Sequence, residues 1–147
     1  MSVESICFLI NLASTLFMTG LIWLVQCLHY PLFRLVGPEH RVPYLKRHVI
    51  QITPIVAIPM LAEAFSGLLL LYIRPDFISF QEAAIGFALI FFIWLVTAMA
   101  SVPCHDKLQN EWSDKIHKRL VRSNWLRTIA WSARSVLMLW LVTKLLS

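Results

Sequence analysis

Charged residues are scarce in this sequence. Asp, Glu, Lys and Arg make up 14% of its 147 residues, whereas a typical soluble domain carries about a quarter. Hydrophobic residues account for 59%, and the mean hydropathy is +0.70. The deficit excludes an ordinary soluble domain and indicates an integral membrane protein. Acidic residues are the scarcer charge, 8 against 13 Lys and Arg. In a membrane protein this surplus reports topology, so we expect no nucleic-acid partner.

The sequence also lacks the short motifs that identify common catalytic and metal sites. It has no glycine-rich phosphate loop, no Gly-x-Ser-x-Gly turn, and no Cys-x-x-Cys, His-x-x-Glu-His or Glu-x-x-His pattern. The three cysteines, Cys7, Cys27 and Cys104, are an odd number split between opposite membrane faces. This arrangement excludes a disulfide framework and favours buried reduced thiols. No repeat or Gly/Ser linker divides residues 1–147, so we expect a single domain.

Long hydrophobic runs are the dominant feature that is present. Four runs reach the roughly 20 residues that a bilayer core requires, at about 6–28, 49–73, 83–104 and 125–146. The first is too long for the apolar core of a signal peptide, and no small-residue cleavage site follows it. The sequence therefore predicts an all-α fold, an integral membrane four-helix bundle with four spans.

The connections between these runs alternate in charge. Residues 34–48 hold four Lys or Arg and residues 106–124 hold five, whereas residues 74–82 hold only Arg74. Because cytoplasmic loops collect Lys and Arg, we predict that the first and third connections are cytoplasmic. Both termini then lie on the non-cytoplasmic side. A bacterial inner membrane is the expected location.

All five histidines fall on the predicted cytoplasmic side. They are His29, His40, His48, His105 and His117. Interfacial loops are the usual place for histidine in a membrane protein, so their position on one side does not by itself indicate a functional site. Three of the five, however, stand at the ends of different spans, where a bundle can bring them together.

Polar residues form one stripe on each span when residues are placed 100° apart. The stripes comprise Asn11, Thr15, Thr19, Gln26, His29 and Tyr30; His48, Gln51, Pro59, Glu63 and Ser66; Trp94, Thr97, Ser101 and His105; and His117, Asn124, Arg127, Thr128, Trp131, Arg134 and Ser135. Lipid-facing surfaces are apolar, so the stripes are expected to face one another. Ser and Thr side chains also commonly form hydrogen bonds between membrane helices without any further function. That explanation does not cover Glu63 and Arg134, which are charged and lie deep in the predicted spans. We predict that they form an ion pair, which either has a functional role or only stabilises the packing of the bundle.

The convergence of His29, His48 and His105 predicts a site for a transition metal ion, with iron, copper or zinc as candidates. Gln26 and Asn124 would support the bound cofactor. Haem is the competing cofactor, held by two histidines with Arg127 on its propionates. A third alternative needs no cofactor. In it Tyr30 is a proton donor and Arg127 or Arg134 stabilises an oxyanion. Arg127 and Glu63 are predicted to support the histidine site, so the candidate catalytic residues are Tyr30, Glu63, Arg127 and Arg134.

Two segments resemble known families. The stretch LVRSNWLRTIAWSARSVLML is similar to the last helix of the anthrone oxygenase-like family of small four-helix membrane proteins, at Leu120, Asn124, Arg127, Thr128 and Ala133. TGLIWLVQ resembles the first helix of the same family. The resemblance covers about a third of the chain and implies oxygenation of polycyclic phenolic substrates. RHVIQITPIVAIPML resembles the second helix of the small membrane protoporphyrinogen oxidases, which implies four helices and haem.

The sequence therefore predicts a metal- or haem-dependent oxidoreductase or oxygenase that acts on a small lipophilic molecule. Two other functions stay open. One is non-enzymatic binding or transport of a metal ion or small solute, for which four helices alone are few and a homo-oligomer would be needed. The other is a structural subunit whose charges only specify packing.

Overall fold

Four long helices build the protein. The structure is a computed structural model, and it describes residues 2–147. The helices are α1 (Val3–Leu35), α2 (Pro38–Tyr72), α3 (Phe80–Leu108) and α4 (Asp114–Leu146). Each is long and apolar enough to cross a membrane. The predicted all-α fold with four candidate spans is confirmed, whereas the orientation of the termini stays a prediction.

Serine side chains mark the beginning of three helices. Ser2 accepts the backbone N–H of Ser5 at 3.4 Å, and Ser113 caps α4 in the same way. Ser79 and Glu82 form a reciprocal capping box at the start of α3. These contacts satisfy backbone donors that have no partner inside the first turn.

The helices are longer than the predicted spans. Residues 34–48 were expected to form a connection, but α2 begins at Pro38, so only Val36 and Gly37 separate it from α1. Proline suits the first turn because its missing N–H would have no helical partner there. Arg41 closes the junction by donating to the carbonyls of Val36 (2.8 Å) and Arg34 (3.0 Å). The basic connection is therefore helical.

Two helices contain a π-helical turn at the same end of the bundle. The turns are Val25–His29 in α1 and Thr97–Ser101 in α3. A proline follows each turn by two residues, Pro31 and Pro103. A proline ring clashes with the carbonyl four residues earlier and cannot donate to it, and in both helices that carbonyl lies inside the π turn. The widened turn accommodates the proline without ending the helix.

The helices pack as a ring in which chain neighbours are also neighbours in space. α1 contacts α2 and α4, and α3 contacts the same two helices. The ends of α1 and α3 therefore meet the beginnings of α2 and α4, and we call this the histidine end because all five histidines lie near it. Apolar clusters fill the interior, and large hydrophobic side chains such as Phe65 and Ile129 cover the outside.

The three cysteines are free thiols. Cys7 and Cys104 are buried, as predicted for thiols that pack as small hydrophobic side chains. Cys27 is exposed, so its predicted burial is wrong. It lies in the π turn of α1 beside buried Gln26, on the side of the helix that faces away from the bundle.

Candidate functional site

The interior holds two separate polar clusters, and the first is the ion pair of Glu63 and Arg134. The Nε of Arg134 lies 2.9 Å from Oε1 of Glu63, and both side chains are 1% exposed. The same carboxylate accepts the Thr15 hydroxyl at 2.7 Å and the Trp131 indole N–H at 3.0 Å. The predicted pairing is confirmed.

Every nitrogen of the Arg134 guanidinium donates a hydrogen bond to another helix. Its two terminal nitrogens donate to the Gly86 carbonyl, to Oδ1 of Asn11 at 2.8 Å and to the Thr15 hydroxyl at 3.0 Å. The adjacent space has a volume of only about 20 Å³. Glu63 and Arg134 thus connect α1, α2, α3 and α4 through one hydrogen-bonded network. We place both in the framework of the bundle, and their predicted catalytic roles stay predictions.

The second cluster lies at the histidine end and contains the three predicted imidazoles. Nε2 of His29 lies 3.0 Å from Nδ1 of His48. The ring centroids of His48 and His105 are 5.6 Å apart. The Tyr30 hydroxyl lies 2.9 Å from Nε2 of His105. Helices α1, α2 and α3 therefore bring together the four side chains that the sequence placed at their ends.

The hydrogen bonds in this cluster leave two buried ring nitrogens without a partner. His29 and His48 use one nitrogen each on one another, and Tyr30 uses one nitrogen of His105. Nε2 of His48 and Nδ1 of His105 are buried and have no hydrogen-bond partner among the described residues. Within residues 2–147 no group of three or more His, Cys, Asp or Glu side chains is arranged to hold a metal ion. The three-histidine metal site stays a prediction.

Arg127 completes the second cluster from α4. It is 4% exposed, and its Nη1 donates to Ser101 Oγ and to Asn124 Oδ1, both at 3.2 Å. The guanidinium also lies over the Trp131 ring, 5.1 Å from its centroid. Its Nε has no partner, and no carboxylate pairs with it in the part of the chain that the structure describes. Arg127 is therefore a buried cation held only by neutral groups.

Gln26 and Asn124 position Arg127. The Asn124 amide donates to Gln26 Oε1 at 2.9 Å, and the Gln26 amide donates to the Val121 carbonyl at 3.3 Å. Both side chains are buried, and neither lines the cavity described next. They were predicted to bind a cofactor. In the structure they direct the Asn124 carbonyl oxygen at the guanidinium.

A cavity of about 420 Å³ lies against this cluster. Tyr30, His48, His105 and Arg127 all line it. Residues of α1, α2 and α3 form its mainly apolar walls, among them Met18, Ile22, Val56, Met60 and Trp94. The predicted stripe of Trp94, Thr97, Ser101 and His105 lines one side, because α3 stays helical through Pro103.

The remaining histidines lie outside this cavity. Nε2 of His117 lies 2.8 Å from the Tyr30 carbonyl oxygen, so this buried ring supports the turn that carries Tyr30. His40 is exposed beside Glu39 and borders a second, surface recess together with His29 and His48. His48 therefore borders both spaces, and its bond to His29 connects the recess with the cavity.

Sequence reasoning missed the α2 wall of the cavity. Val49, Ile52, Val56 and Met60 continue the face of His48 at helical spacing. The helical spacing from His48 identifies these four residues as one face of the helix. It does not show that this apolar face borders a cavity, because most apolar faces in a span pack against other side chains or lipid. Comparisons with protein-family models, curated proteins and solved structures found no match to this chain.

Proposed function

We propose that this chain is an integral membrane protein that binds a small lipophilic molecule with an anionic head group in the cavity at the histidine end. The observation that carries the proposal is Arg127, a buried guanidinium that lines the cavity and has no carboxylate partner among the described residues. The surplus of Lys and Arg at this end supports its predicted cytoplasmic position.

The two buried arginines differ in how their charge is balanced. Moving a charge out of water costs several kcal/mol, and buried charges are normally paired. Glu63 balances Arg134 at 2.9 Å. Arg127 has only Ser101, Asn124 and the Trp131 ring. An anionic group in the cavity would supply the missing charge and accept hydrogen bonds from the guanidinium.

The remainder of the cavity suits an apolar body. Its volume of about 420 Å³ falls within the range of roughly 300–1,000 Å³ of small-molecule sites, which combine apolar walls with a few polar groups. Here the polar groups include Arg127, His48, His105 and Tyr30. The lining also contains Thr53, Thr97, Ser101, Gln109 and one carboxylate, Asp106, which is exposed, whereas Arg127 is buried. A phenolate or carboxylate on a ring system has this distribution of polar and apolar surface.

Proton exchange with the ligand is the chemistry that the cluster supports without a cofactor. His48 borders the cavity, and its Nδ1 bonds His29, which borders the surface recess. An imidazole can take a proton on one nitrogen and release one from the other. The pair can thus pass a proton between the recess and the head group of a bound molecule.

A set of matched ligands tests the proposal. We expect 2-naphthoate to bind the purified protein about 10–100-fold more tightly than 2-naphthylmethylammonium, because a hydrogen bond to a charged group contributes about 1.5–3 kcal/mol. Equilibrium dialysis in detergent measures both ligands. Ala57→Trp, which fills the cavity, should abolish the difference, and Ala133→Trp on the exposed face should preserve it. Equal binding of the two ligands by the wild type would overturn the proposal.

The second candidate function is the metal- or haem-dependent oxidoreductase or oxygenase predicted from the sequence. The observation that favours it is the pair of unpartnered ring nitrogens, Nε2 of His48 and Nδ1 of His105. Neutral imidazole binds iron, copper and zinc, and haem iron also takes histidine. A metal ion or haem would supply the redox chemistry. Arg127 would bind the head of the lipophilic substrate, and Tyr30 would hold the His105 ring in place.

The cofactor content of the purified protein tests this second candidate. Protein prepared without chelator should carry about one metal ion or one haem per chain, measured by metal analysis and absorption spectroscopy. His105→Ala removes a candidate ligand, and His29→Ala removes the partner that orients His48. Each should lower the affinity at least about 10–100-fold, the usual loss for an outer partner. His40→Ala is the control and should retain the cofactor. Cofactor-free wild-type protein would contradict this candidate and leave the anion-binding proposal intact.

A further inference from the structure

The outer face of α4 carries a group of basic residues that the cavity does not use. Lys115, Lys118, Arg119 and Arg122 stand three, four and seven residues apart, so their side chains share one side of the helix. All four are exposed. With Ser123 and Leu126 they border a recess of about 720 Å³ at the histidine end. We call these four residues the basic face.

The charge of the basic face is not balanced by the protein. Within residues 2–147 the ion pairs are Glu39–His40, Glu63–Arg134 and Glu82–Lys144, and none involves the basic face. The nearest carboxylate in sequence, Asp114, accepts a hydrogen bond from the Trp112 indole at 3.3 Å. Four cations bordering one recess form a site for an anionic group with several acceptor oxygens.

The surface directly below the basic face is apolar. Leu126, Ile129 and Val136 continue the same side of α4 and are 48%, 62% and 69% exposed. From Leu126 to Val136 the helix rises about 15 Å, which is half of the about 30 Å bilayer core. Trp125 and Trp23 lie beside this transition in an edge-to-face contact at 5.7 Å, and tryptophan is enriched at the membrane–water interface.

We propose that the basic face of α4 is a binding site for the head group of an anionic phospholipid, whose acyl chains lie along Leu126, Ile129 and Val136. The cations contact the phosphate and its substituent, and the two arginines can each donate two parallel hydrogen bonds to phosphate oxygens. The one helix face thus offers charge and hydrocarbon in the order in which a phospholipid presents them. This site is separate from the cavity, and neither proposal depends on the other.

Native mass spectrometry of the full-length protein tests the site. The protein is equilibrated in mixed micelles with equal amounts of phosphatidylglycerol and phosphatidylcholine. The wild type should retain phosphatidylglycerol in preference. Replacing Lys115, Lys118, Arg119 and Arg122 by Gln should remove most of that preference, since each cation near an anionic lipid contributes about fivefold in binding. The change is on the surface, and thermal unfolding should confirm that the variant is folded.

The matched control removes four other exposed cations at the same end of the bundle. Arg34, Lys46, Arg47 and Lys107 changed to Gln alter the net charge equally but leave the basic face intact, so this variant should retain the wild-type preference.

If both variants lose the preference equally, the lipid is attracted by the overall positive charge of this end and not by a specific site, and the proposal is wrong. It is also wrong if the wild type does not prefer phosphatidylglycerol, or if millimolar inorganic phosphate displaces the lipid. If the four-residue variant does not fold, Arg119→Gln alone should lower the preference about fivefold, and an unchanged preference in that variant would overturn the proposal.

Discussion

Glu63→Gln is expected to lower the free energy of unfolding by about 3–5 kcal/mol, the usual cost of removing one partner from a buried ion pair. The substitution leaves the Arg134 guanidinium, which is 1% exposed, without its counter-charge. The cost is large because the same carboxylate also accepts hydrogen bonds from Thr15 and Trp131. Arg134→Met should cost a similar amount. Thermal or chemical unfolding in a fixed detergent measures both variants.

The double variant Glu63→Gln/Arg134→Met separates the ion pair from simple packing damage. With both charges removed, no unpaired charge remains, so the double variant should recover much of the loss. Lys144→Met is the matched control because it breaks the more exposed pair with Glu82, at 2.9 Å, which should cost no more than about 1 kcal/mol. Single variants at Glu63 and Arg134 that melt like the wild type would show that the pair does not hold the bundle together.

The Glu63–Arg134 pair could be predicted because a buried charge can be stabilised in only a few ways. Two charges of opposite sign, each deep in an apolar span, are expected either to pair with one another or to face a water-filled space. The convergence of His29, His48 and His105 followed from equally general reasoning, since each residue ends or begins a different span at one end of the bundle. The burial of polar and charged side chains between long apolar helices therefore determined which helix ends and which stripes meet.

The separation of the polar residues into two clusters could not be predicted from spacing. Asn124 and Arg134 share a stripe on α4, yet Asn124 holds Arg127 beside the cavity while Arg134 binds Glu63 beyond it. A stripe shows that its side chains lie at similar angles around the helix axis. Which partner each side chain contacts depends instead on its position along the axis, where a few ångströms decide. Spacing alone consequently places Glu63 and Arg127 in one predicted site.

The π turns and the start of α2 were missed for different reasons. A proline in a span indicates a disturbed helix, but it does not say whether the helix bends, ends or widens. In α1 and α3 it widens, which keeps Tyr30 and His105 on continuous helices. The residues from Pro38 to His48 are too polar to be part of a span. Polarity distinguishes a span from a connection, but it does not distinguish a helical connection from a loop.

Arg127→Met should leave the stability nearly unchanged, unlike Arg134→Met, because only Arg134 has a carboxylate partner. In the protein without ligand, the substitution removes a buried charge that has no carboxylate partner among the described residues and whose desolvation costs several kcal/mol. It also removes two hydrogen bonds from a charged donor, to Ser101 and Asn124, each worth about 1.5 kcal/mol, and the contact with Trp131, worth about 1 kcal/mol. These contributions nearly cancel, so we expect little change in stability, against a loss of about 3–5 kcal/mol for Arg134→Met.

Adding a lipophilic anion should make the wild type more stable than Arg127→Met. At a concentration of 2-naphthoate 100 times the wild-type dissociation constant, binding stabilises the wild type by about 2.7 kcal/mol. If the variant binds about 100-fold more weakly, the same concentration stabilises it by only about 0.4 kcal/mol. Unfolding curves of both proteins with and without 2-naphthoate measure the difference, with exposed Arg122→Met as the control for net charge. If Arg127→Met is as damaging as Arg134→Met without ligand, and the anion stabilises wild type and variant equally, then Arg127 serves packing alone and does not bind the anion.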